Sequence, residues 1–518
     1  MDPTEVHRQL LDPDCYPDHT TTVSFRETHI SRVYLTDRYA YKFKKPLNLG
    51  FLDFSTLARR QFFCFEELRL NRRFAPDTYL DMVELRDWRG RLRLGNRGKL
   101  IDYAVRMQRL PEERMLSHLL DCDDPALPVE IERLAGHLVN LLAQATPCLD
   151  EESPETVRGK ICGNLHQTES AIGVSLSARA HAVMAAHMES ELQRLTPLIA
   201  QRSAQGYVRD GHGDLHAANI CMTDPVRVYD CIEFCRGFRV ADVAADLAFL
   251  LMDLDFRGRR DLARIFFDSY QRQTRDPDLH RLLPLYKSYR GWVRGKVSTL
   301  LATEGEVAAP LREQALVNAQ RYFNLALGYQ VAPALILTSG LMGVGKSTLA
   351  KALAVATGAT LLRSDVIRKE LAGFAADRPC VDPFASGLYT AEATTRTYLE
   401  LRKRAAAALA EGAPVIVDAS FAAQTLRREF IAMAAGMKLP TLLLHLRCEP
   451  AIAMTRLDDR QRQGTDPSDG RRGIYPQQAD AFEPFSEELP LLEIDSSHPV
   501  DYNVQKAVCQ LLQPFLQS

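Results

Sequence analysis

The sequence predicts two domains of different class: an α+β domain made of two lobes, then an α/β domain built on a parallel sheet. Three observations predict it. Residues 20 to 110 read as short strands around one helix. Residues 130 to about 328 are mostly helical in period, and from VAPALILTSG onward strand and helix patterns take turns to the end. At ~150 residues per domain, 518 residues give about three folding units or two large ones, not a single core. The expected division is 1–328 for the first domain, with a small lobe over 1–108 and a helical lobe over 109–328, and 329–518 for the second.

Composition narrows the class. The hydrophobic share of 46% and charged share of 25%, with 28 Gly and 27 Pro spread through the chain, belong to an ordinary globular protein and exclude disorder or collagen-like repeats. Basic and acidic residues, 64 against 66, leave no global field favouring nucleic acid or an anionic membrane. No run reaches the ~18 apolar residues of a membrane span. The start, MDPTEVHRQLLDPDC, has acids and a proline where a signal peptide needs a basic and then an apolar run, so a cytoplasmic location is expected. Eleven cysteines, dispersed and without a CxxC pair, suggest reduced thiols rather than a disulfide framework or a zinc ribbon. Cys221, Cys231 and Cys235 lie near His212 and His216, where small buried residues beside another motif are the simpler reading than a metal site.

In the small lobe TTVSFRE, SRVYLT and YAYKFKK alternate as strands, LARRQFFCFEELRLNRRF has helical period, and KLIDYAVRMQRL returns to strand. The helical lobe opens with EIERLAGHLVNLLAQ and HAVMAAHMESELQRLTPLIAQ, and a strand-rich stretch interrupts it at 207–232. Within that interruption stands HGDLHAAN, His212 to Asn219, and Asp230 in VYDCIEF follows eleven residues after Asn219. An aspartate, an asparagine five residues on, and a second aspartate at a strand end is how protein-kinase-like folds place a base and two metal ligands around one triphosphate.

On these residues, the first 325 or so positions resemble the aminoglycoside phosphotransferase-like branch of the kinase fold, whose signature is HGDxxxxN followed by an aspartate-bearing strand. The resemblance implies that Asp214 is the catalytic base, that Asn219 and Asp230 hold Mg2+, and that Asp246 in VADVAADLAFLL braces the catalytic loop. At the ATP phosphates it implies a lysine paired with a glutamate. YAYKFKK offers Lys42 and Lys44 on one strand face, FEELRLNRR offers Glu66 or Glu67, and strand parity favours neither lysine. One departure bears on ATP use: FRETHISRVYLT, where a nucleotide-covering loop belongs, contains no glycine. Lys287, Arg290 and Arg294, spaced near one turn in YKSYRGWVRGKV, suit either an anionic acceptor or a plain amphipathic surface, and the surface is the simpler account.

The second domain begins near Pro333. Gly340-Leu-Met-Gly343-Val344-Gly345-Lys346-Ser347-Thr348 matches GxxxxGK[ST] between the strand ALILTS and the helix KSTLAKALAVAT. Such a loop turns successive amides and a helix N-terminus toward phosphate oxygens; Lys346 spans the β and γ phosphates and Ser347 offers a hydroxyl to Mg2+. Eighteen residues after Ser347, Asp365 ends a short strand and Arg368 follows one turn later. A carboxylate at a strand's carboxyl edge can take a proton from an attacking hydroxyl while the arginine holds an anionic group; a helix cap with a surface arginine is the competing reading. Asp418 ends the strand PVIVDASF and can anchor Mg2+ through water. Arg456, Arg460 and Arg462, in RLDDRQRQGTDPSDG, suit a lid that brings positive charge to a phosphoryl group, or a solvated helix face. Residues 333–518 resemble small P-loop kinases of the gluconate kinase, chloramphenicol phosphotransferase and polynucleotide kinase type, which use an aspartate followed three residues later by arginine.

The whole chain resembles bacterial fusions of an aminoglycoside phosphotransferase-like domain with a P-loop ATP-binding domain, which implies a tandem Mg-ATP kinase. The acceptor is expected to be a hydroxyl of a small molecule or of a nucleic-acid end, with no membrane partner. The antibiotic in the family name is not inherited, because acceptor choice depends on residues outside the shared motifs. Two other readings compete: a kinase that processes nucleic-acid ends, and an ATP-binding regulator with one active domain.

Overall fold

The alternating segments near the start form a six-stranded antiparallel sheet. Its strands are β1 (Ser24–Glu27), β2 (Ser31–Leu35), β3 (Tyr39–Lys44), β4 (Tyr79–Trp88), β5 (Arg91–Leu94) and β6 (Lys99–Gln108), in the order β1-β2-β3-β6-β4-β5. The structure, a computed structural model, describes residues 2–50, 52–149, 151–305, 307–375, 387–463, 471–485 and 490–513. Helix α1 (Leu57–Asn71) follows β3, opened by Thr56, whose hydroxyl accepts from the Arg59 amide at 3.2 Å. Both faces of the sheet are covered. Tyr34, Tyr41, Phe43, Leu85 and Leu94 pack with Leu10 and Tyr16 on one side, while Ala40, Tyr103, Val105 and Met107 pack with Cys64 and Leu68 of α1 on the other. The period-two alternation of β3 therefore sends Lys42 and Lys44 to the α1 side.

Helices follow in the same compact unit, which comprises Met1–Val157 and Leu195–Tyr286. Helix α2 (Val243–Phe256) is buried at every residue from Ala244 to Asp255, so its aspartates point at protein rather than water. Asp242 caps it by accepting from the Ala244 amide, and is itself gripped by the buried Arg202, which also reaches Asp276 at 2.6 Å.

The second compact unit comprises Arg158–Arg194 and Lys287–Ser518. Helix α3 (Ala309–Gly328) precedes the parallel sheet of β7 (Leu335–Ser339), β8 (Thr360–Arg363), β9 (Val415–Asp418), β10 (Thr441–Arg447) and β11 (Leu491–Asp495). Helices α4 (Lys346–Thr357), α5 (Ser364–Leu371), α6 (Pro450–Gln463) and α7 (Val500–Leu511) connect or follow these strands. The strand order is β8-β9-β7-β10-β11, so the chain leaves β7 toward the β8 edge and later leaves its neighbour β10 toward the opposite edge, which makes the β7/β10 junction the point where connections part to opposite sides. Ligands of open α/β sheets bind outside the strands' carboxyl ends at such a junction.

Packing draws these units differently from the division expected near residue 329. Arg158–Arg194 and the helices from Lys287 to Gly328 lie in the unit of the parallel sheet. Asn324 Nδ2 donates to the Asp501 carbonyl at 2.9 Å, the Ser177 amide donates to Gln505 at 2.9 Å, and a Cβ on Gly328 would lie 2.0 Å from the Ala356 carbonyl oxygen. No helix of the described residues is long and apolar enough to cross a membrane.

Candidate active sites

In the first unit, one face of α1 delivers Arg60, Cys64, Glu67, Leu68 and Asn71 to the interior. Glu67 thus arrives beneath β3, with Oε1 2.9 Å from Lys42 Nζ and Oε2 2.8 Å from Lys44 Nζ. Glu66 falls one position off that face and pairs with Arg69 at 2.7 Å, so of the two expected glutamates it stands outside the cluster. Lys42 also pairs with Asp230, and Lys44 with Glu233. Burial works against the Lys42 charge, but Asp230 and Glu67 outweigh it and hold its pKa well above the ordinary lysine value. Glu233 and Glu67 do the same for Lys44. Burial also lifts Glu233, against the pull of Lys44.

Asp230 has φ +65°, a left-handed backbone that costs energy in a residue with a side chain. Its amide donates to the Tyr79 hydroxyl at 3.0 Å, and the next amide, of Cys231, donates to Asn71 Oδ1 at 2.8 Å. These bonds fix the bend that aims the Asp230 side chain at Lys42.

The HGD segment is held from below. Asp246 of α2 accepts from the amides of His212 and Gly213, each at 2.8 Å. This approach requires Gly211, where a Cβ would lie 2.3 Å from Asp246 Oδ2. Asp253, two turns along α2, accepts from the Ala217 amide at 2.9 Å. His212 Nε2 lies 2.9 Å from the Tyr229 carbonyl, which can only accept, so this nitrogen carries the proton and Nδ1 accepts from the Asp214 amide. Burial lowers the His212 pKa and keeps this neutral tautomer. Asn219 Nδ2 donates to the Asp214 backbone carbonyl at 3.0 Å and to its carboxylate at 3.2 Å. His216 Nε2 stands 3.4 Å from the same carboxylate. The glycine-free hairpin between β1 and β2 closes through Thr28, whose hydroxyl accepts from the Ser31 amide at 3.0 Å.

In the second unit, the loop after β7 has φ of +137° at Gly340, +77° at Gly343 and +87° at Gly345. Glycine is demanded by space as well: a Cβ would lie 2.4 Å from the Leu446 carbonyl at Gly340 and 2.6 Å from the Ala453 carbonyl at Gly343. Val344 is buried under the loop, and Ser347 and Thr348 sit in the first turn of α4. Lys346 Nζ donates to the carbonyls of Gly340 at 2.9 Å and Leu341 at 2.7 Å. Burial pushes its pKa down to about 8, opposed by Asp418 and Asp365, with Arg460 adding to the fall. These four side chains therefore share one electrostatic neighbourhood.

Asp418 ends β9 beside Arg363 of β8, with Arg363 Nε 3.3 Å from its carboxylate and the Thr338 hydroxyl donating to it at 3.3 Å. Arg456 gives two hydrogen bonds to Ser496, at 3.0 and 2.8 Å, and its guanidinium lies 3.5 Å from where a Cβ would stand on Gly345. Arg368 is drawn into the protein: it donates to the Leu388 carbonyl at 2.9 Å and to Thr394 at 3.2 Å, and its guanidinium lies over the Tyr389 ring. Gln478 accepts from the Met342 amide of the phosphate loop at 2.7 Å. A cavity of about 540 Å3 opens at the carboxyl ends of β10 and β11, lined by Arg447, Cys448, Glu449, Asp495 and Lys506 among others.

Other expected residues fall elsewhere. Lys287, Arg290 and Arg294 stack on Tyr329, Tyr289 and Tyr322, in the unit of the parallel sheet rather than that of Asp214. Arg462 pairs with Asp459 at the surface, and residues 464–470 of the arginine-rich stretch lie outside the described residues. The sequence motifs assign no role to Tyr79, Gly211, Glu233, Arg363 or Gln478, although Glu233 stands within the Asp230 segment. Among the described residues no group of three or more His, Cys, Asp or Glu could hold a metal ion. The expected oxygen donors number two in each unit, Asn219 and Asp230 in the first and Ser347 and Asp418 in the second. This suits Mg2+, which takes one or two protein oxygens and completes its shell with water and phosphate.

Residues 335–485 match the family model of an AAA domain. Uncharacterized proteins of Mycobacterium tuberculosis and Mycobacterium bovis are 29% identical over 447 residues, covering 83% of this chain and 84% of theirs. Among solved structures, a gluconokinase from Sinorhizobium meliloti is 20% identical, with TM-score 0.27, covering 36% of this chain and 95% of its own. A choline/ethanolamine kinase family protein from Mesorhizobium loti is 13% identical, with TM-score 0.38, covering 61% and 94%. An ADP-bound aminoglycoside phosphotransferase is also 13% identical, with TM-score 0.33, covering 62% and 99%.

Proposed function

We propose that the chain is a tandem ATP-dependent phosphotransferase, each half passing the γ-phosphoryl group of ATP to a hydroxyl. What supports this is, in the first unit, buried Lys42 paired with Asp230 beside HGDLHAAN and, in the second, Lys346 folded into the glycine loop, with Asp418 and Asp365 acting on its charge without pairing with it.

In the first unit Asp214 takes the proton of the acceptor hydroxyl, oriented by the Asn219 amide and steadied by the loop that Asp246 braces. Lys42 exchanges Asp230 for phosphate oxygens while Glu67 keeps it in place. Asn219 Oδ1 and Asp230 would hold Mg2+, as would Ser347 and Asp418 in the second unit. When bound, the ion supplies positive charge that offsets the negative charge on the transferring phosphates. In the second unit the loop amides and Lys346 grip the phosphates, Arg456 and Arg460 add positive charge, and Asp365 accepts the acceptor proton. The cavity beyond β10 and β11 has the volume for a nucleoside.

The test is incubation with γ-labelled ATP and two acceptor pools, fractionated small metabolites and RNA, using the intact chain, Asp214→Ala and Lys346→Ala. Label entering a small-molecule fraction and lost in Asp214→Ala assigns the first site. Label at RNA 5′ ends lost in Lys346→Ala assigns the second to nucleic-acid ends. No transfer in either pool, with ATP still bound, turns the reading toward a regulator.

A further inference from the structure

Glu233 lies three residues past Asp230, is buried, and does not face the exposed side of the site. Its partner Lys44 is fully enclosed, bonded to Glu67 and Glu233, with the Phe54 ring 4.8 Å from its Nζ. A buried ion pair of this kind gives no advantage in stability over apolar side chains of equal volume, so its presence calls for another role.

The geometry points to Glu233 as a positioning residue: by satisfying Lys44 it leaves one Glu67 oxygen for Lys42 and leaves Asp230 free to exchange Lys42 for a metal ion. Two lysines face one Glu67 carboxylate, one on each oxygen. Without Glu233, Lys44 would have no carboxylate but Glu67 and would draw it from Lys42. With Glu233, two positive and two negative charges balance, and Asp230, 37% exposed, is surplus to that balance. Asp230 can then depart without leaving a buried lysine uncompensated. This rests on the reading of Lys42 and Asp230 as nucleotide-site residues.

The experiment uses the full chain carrying Lys346→Ala, so that a magnesium-bound, non-hydrolysable ATP analogue reports the first site. Calorimetry gives affinity and thermal melting reports folding. Glu233→Gln is expected to weaken the analogue ~10-fold, because removing one member of a buried array redirects the rest. Lys44→Met with Glu233→Met, which removes the competitor together with its partner, is expected to return affinity to within ~3-fold of the parent. A folded Glu233→Gln protein with parental affinity, or a double variant no better than the single, overturns the inference. Should Glu233→Gln fail to fold, the double variant decides alone: near-parental affinity upholds it and a ~10-fold loss overturns it. Lys42→Ala in the same background separates the two levels. Unchanged affinity there removes the underlying site reading. Lost affinity there, with Glu233→Gln unaffected, removes the inference about Glu233 alone.

Discussion

The two units hold a lysine in opposite ways. Lys42 is wedged between Glu67 and Asp230, with Lys44 and Glu233 behind it. Among the described residues, Lys346 donates to the carbonyls of Gly340 and Leu341 and pairs with no carboxylate. Both side chains pay the desolvation penalty, yet the outcomes diverge: Lys42 is held far above the usual lysine pKa and Lys346 falls to about 8. The difference lies in the source of the counter-charge. The first site supplies carboxylates in direct contact with its lysine, whereas the second gives its lysine backbone carbonyls alone.

That contrast breaks most visibly at Lys346. Lys346→Ala is expected to weaken magnesium-ATP at the second site by ~100-fold or more, since no carboxylate stands ready to be released in compensation. Calorimetry on the full chain should then register the first site alone, and two undiminished sites would refute the phosphate-loop assignment. Next in size is the base. Asp214→Ala should retain nucleotide but lose transfer to a demonstrated acceptor by ~100-fold, and Asp365→Asn should do the same for the second site. Full transfer in Asp214→Ala with none in Lys346→Ala would leave one kinase and one binding lobe.

Protons sharpen the comparison further. Between pH 8 and 10 free Lys346 gives up its proton ahead of an ordinary lysine, and phosphate oxygens restore it. Nucleotide binding at the second site should therefore take up part of a proton near pH 8.5 and none at pH 6.5, read as buffer-dependent binding heat. Lys42, already held charged by carboxylates, should contribute no uptake across that range. The sign for stability agrees: without nucleotide, the unfolded chain binds more protons at this lysine between pH 8 and 10, so the second unit gains stability as pH rises there. The smallest effect is mechanical. Gly328→Ala forces a Cβ against the Ala356 carbonyl and should cost about 1–3 kcal/mol, seen as a lower melting temperature with both sites intact.

What could be read in advance followed sequence proximity. The glycine loop and HGDLHAAN are contiguous, and their spacing alone encodes the chemistry. Glu67 was also within reach, because Arg60, Cys64, Glu67, Leu68 and Asn71 mark one helical face and Glu66 lies off it. Lys42 and Lys44 were not separable, since strand parity puts both on one side and their distinguishing partners, Asp230 for Lys42 and Glu233 for Lys44, lie 188 and 189 residues away. Glu233, in an irregular segment, meets Lys44 of β3, and Arg363 of β8 meets Asp418 of β9, only in the folded chain. The helices before residue 329 carry no motif that tells which core they join; Gly328 and Asn324 reveal it through contacts with Ala356 and Asp501.

The bond from the Met342 amide to Gln478 bears on what the glycine loop receives. A loop built to receive oxygen atoms is already holding one, supplied by a carboxamide from a segment more than 130 positions downstream. A phosphate oxygen that claimed this amide would trade one hydrogen bond for another, a nearly neutral exchange in energy that the Gln478 side chain would have to permit. Gln478 thus ties a segment of the second unit to an amide of the glycine loop, and any group that claimed this amide would displace that tie.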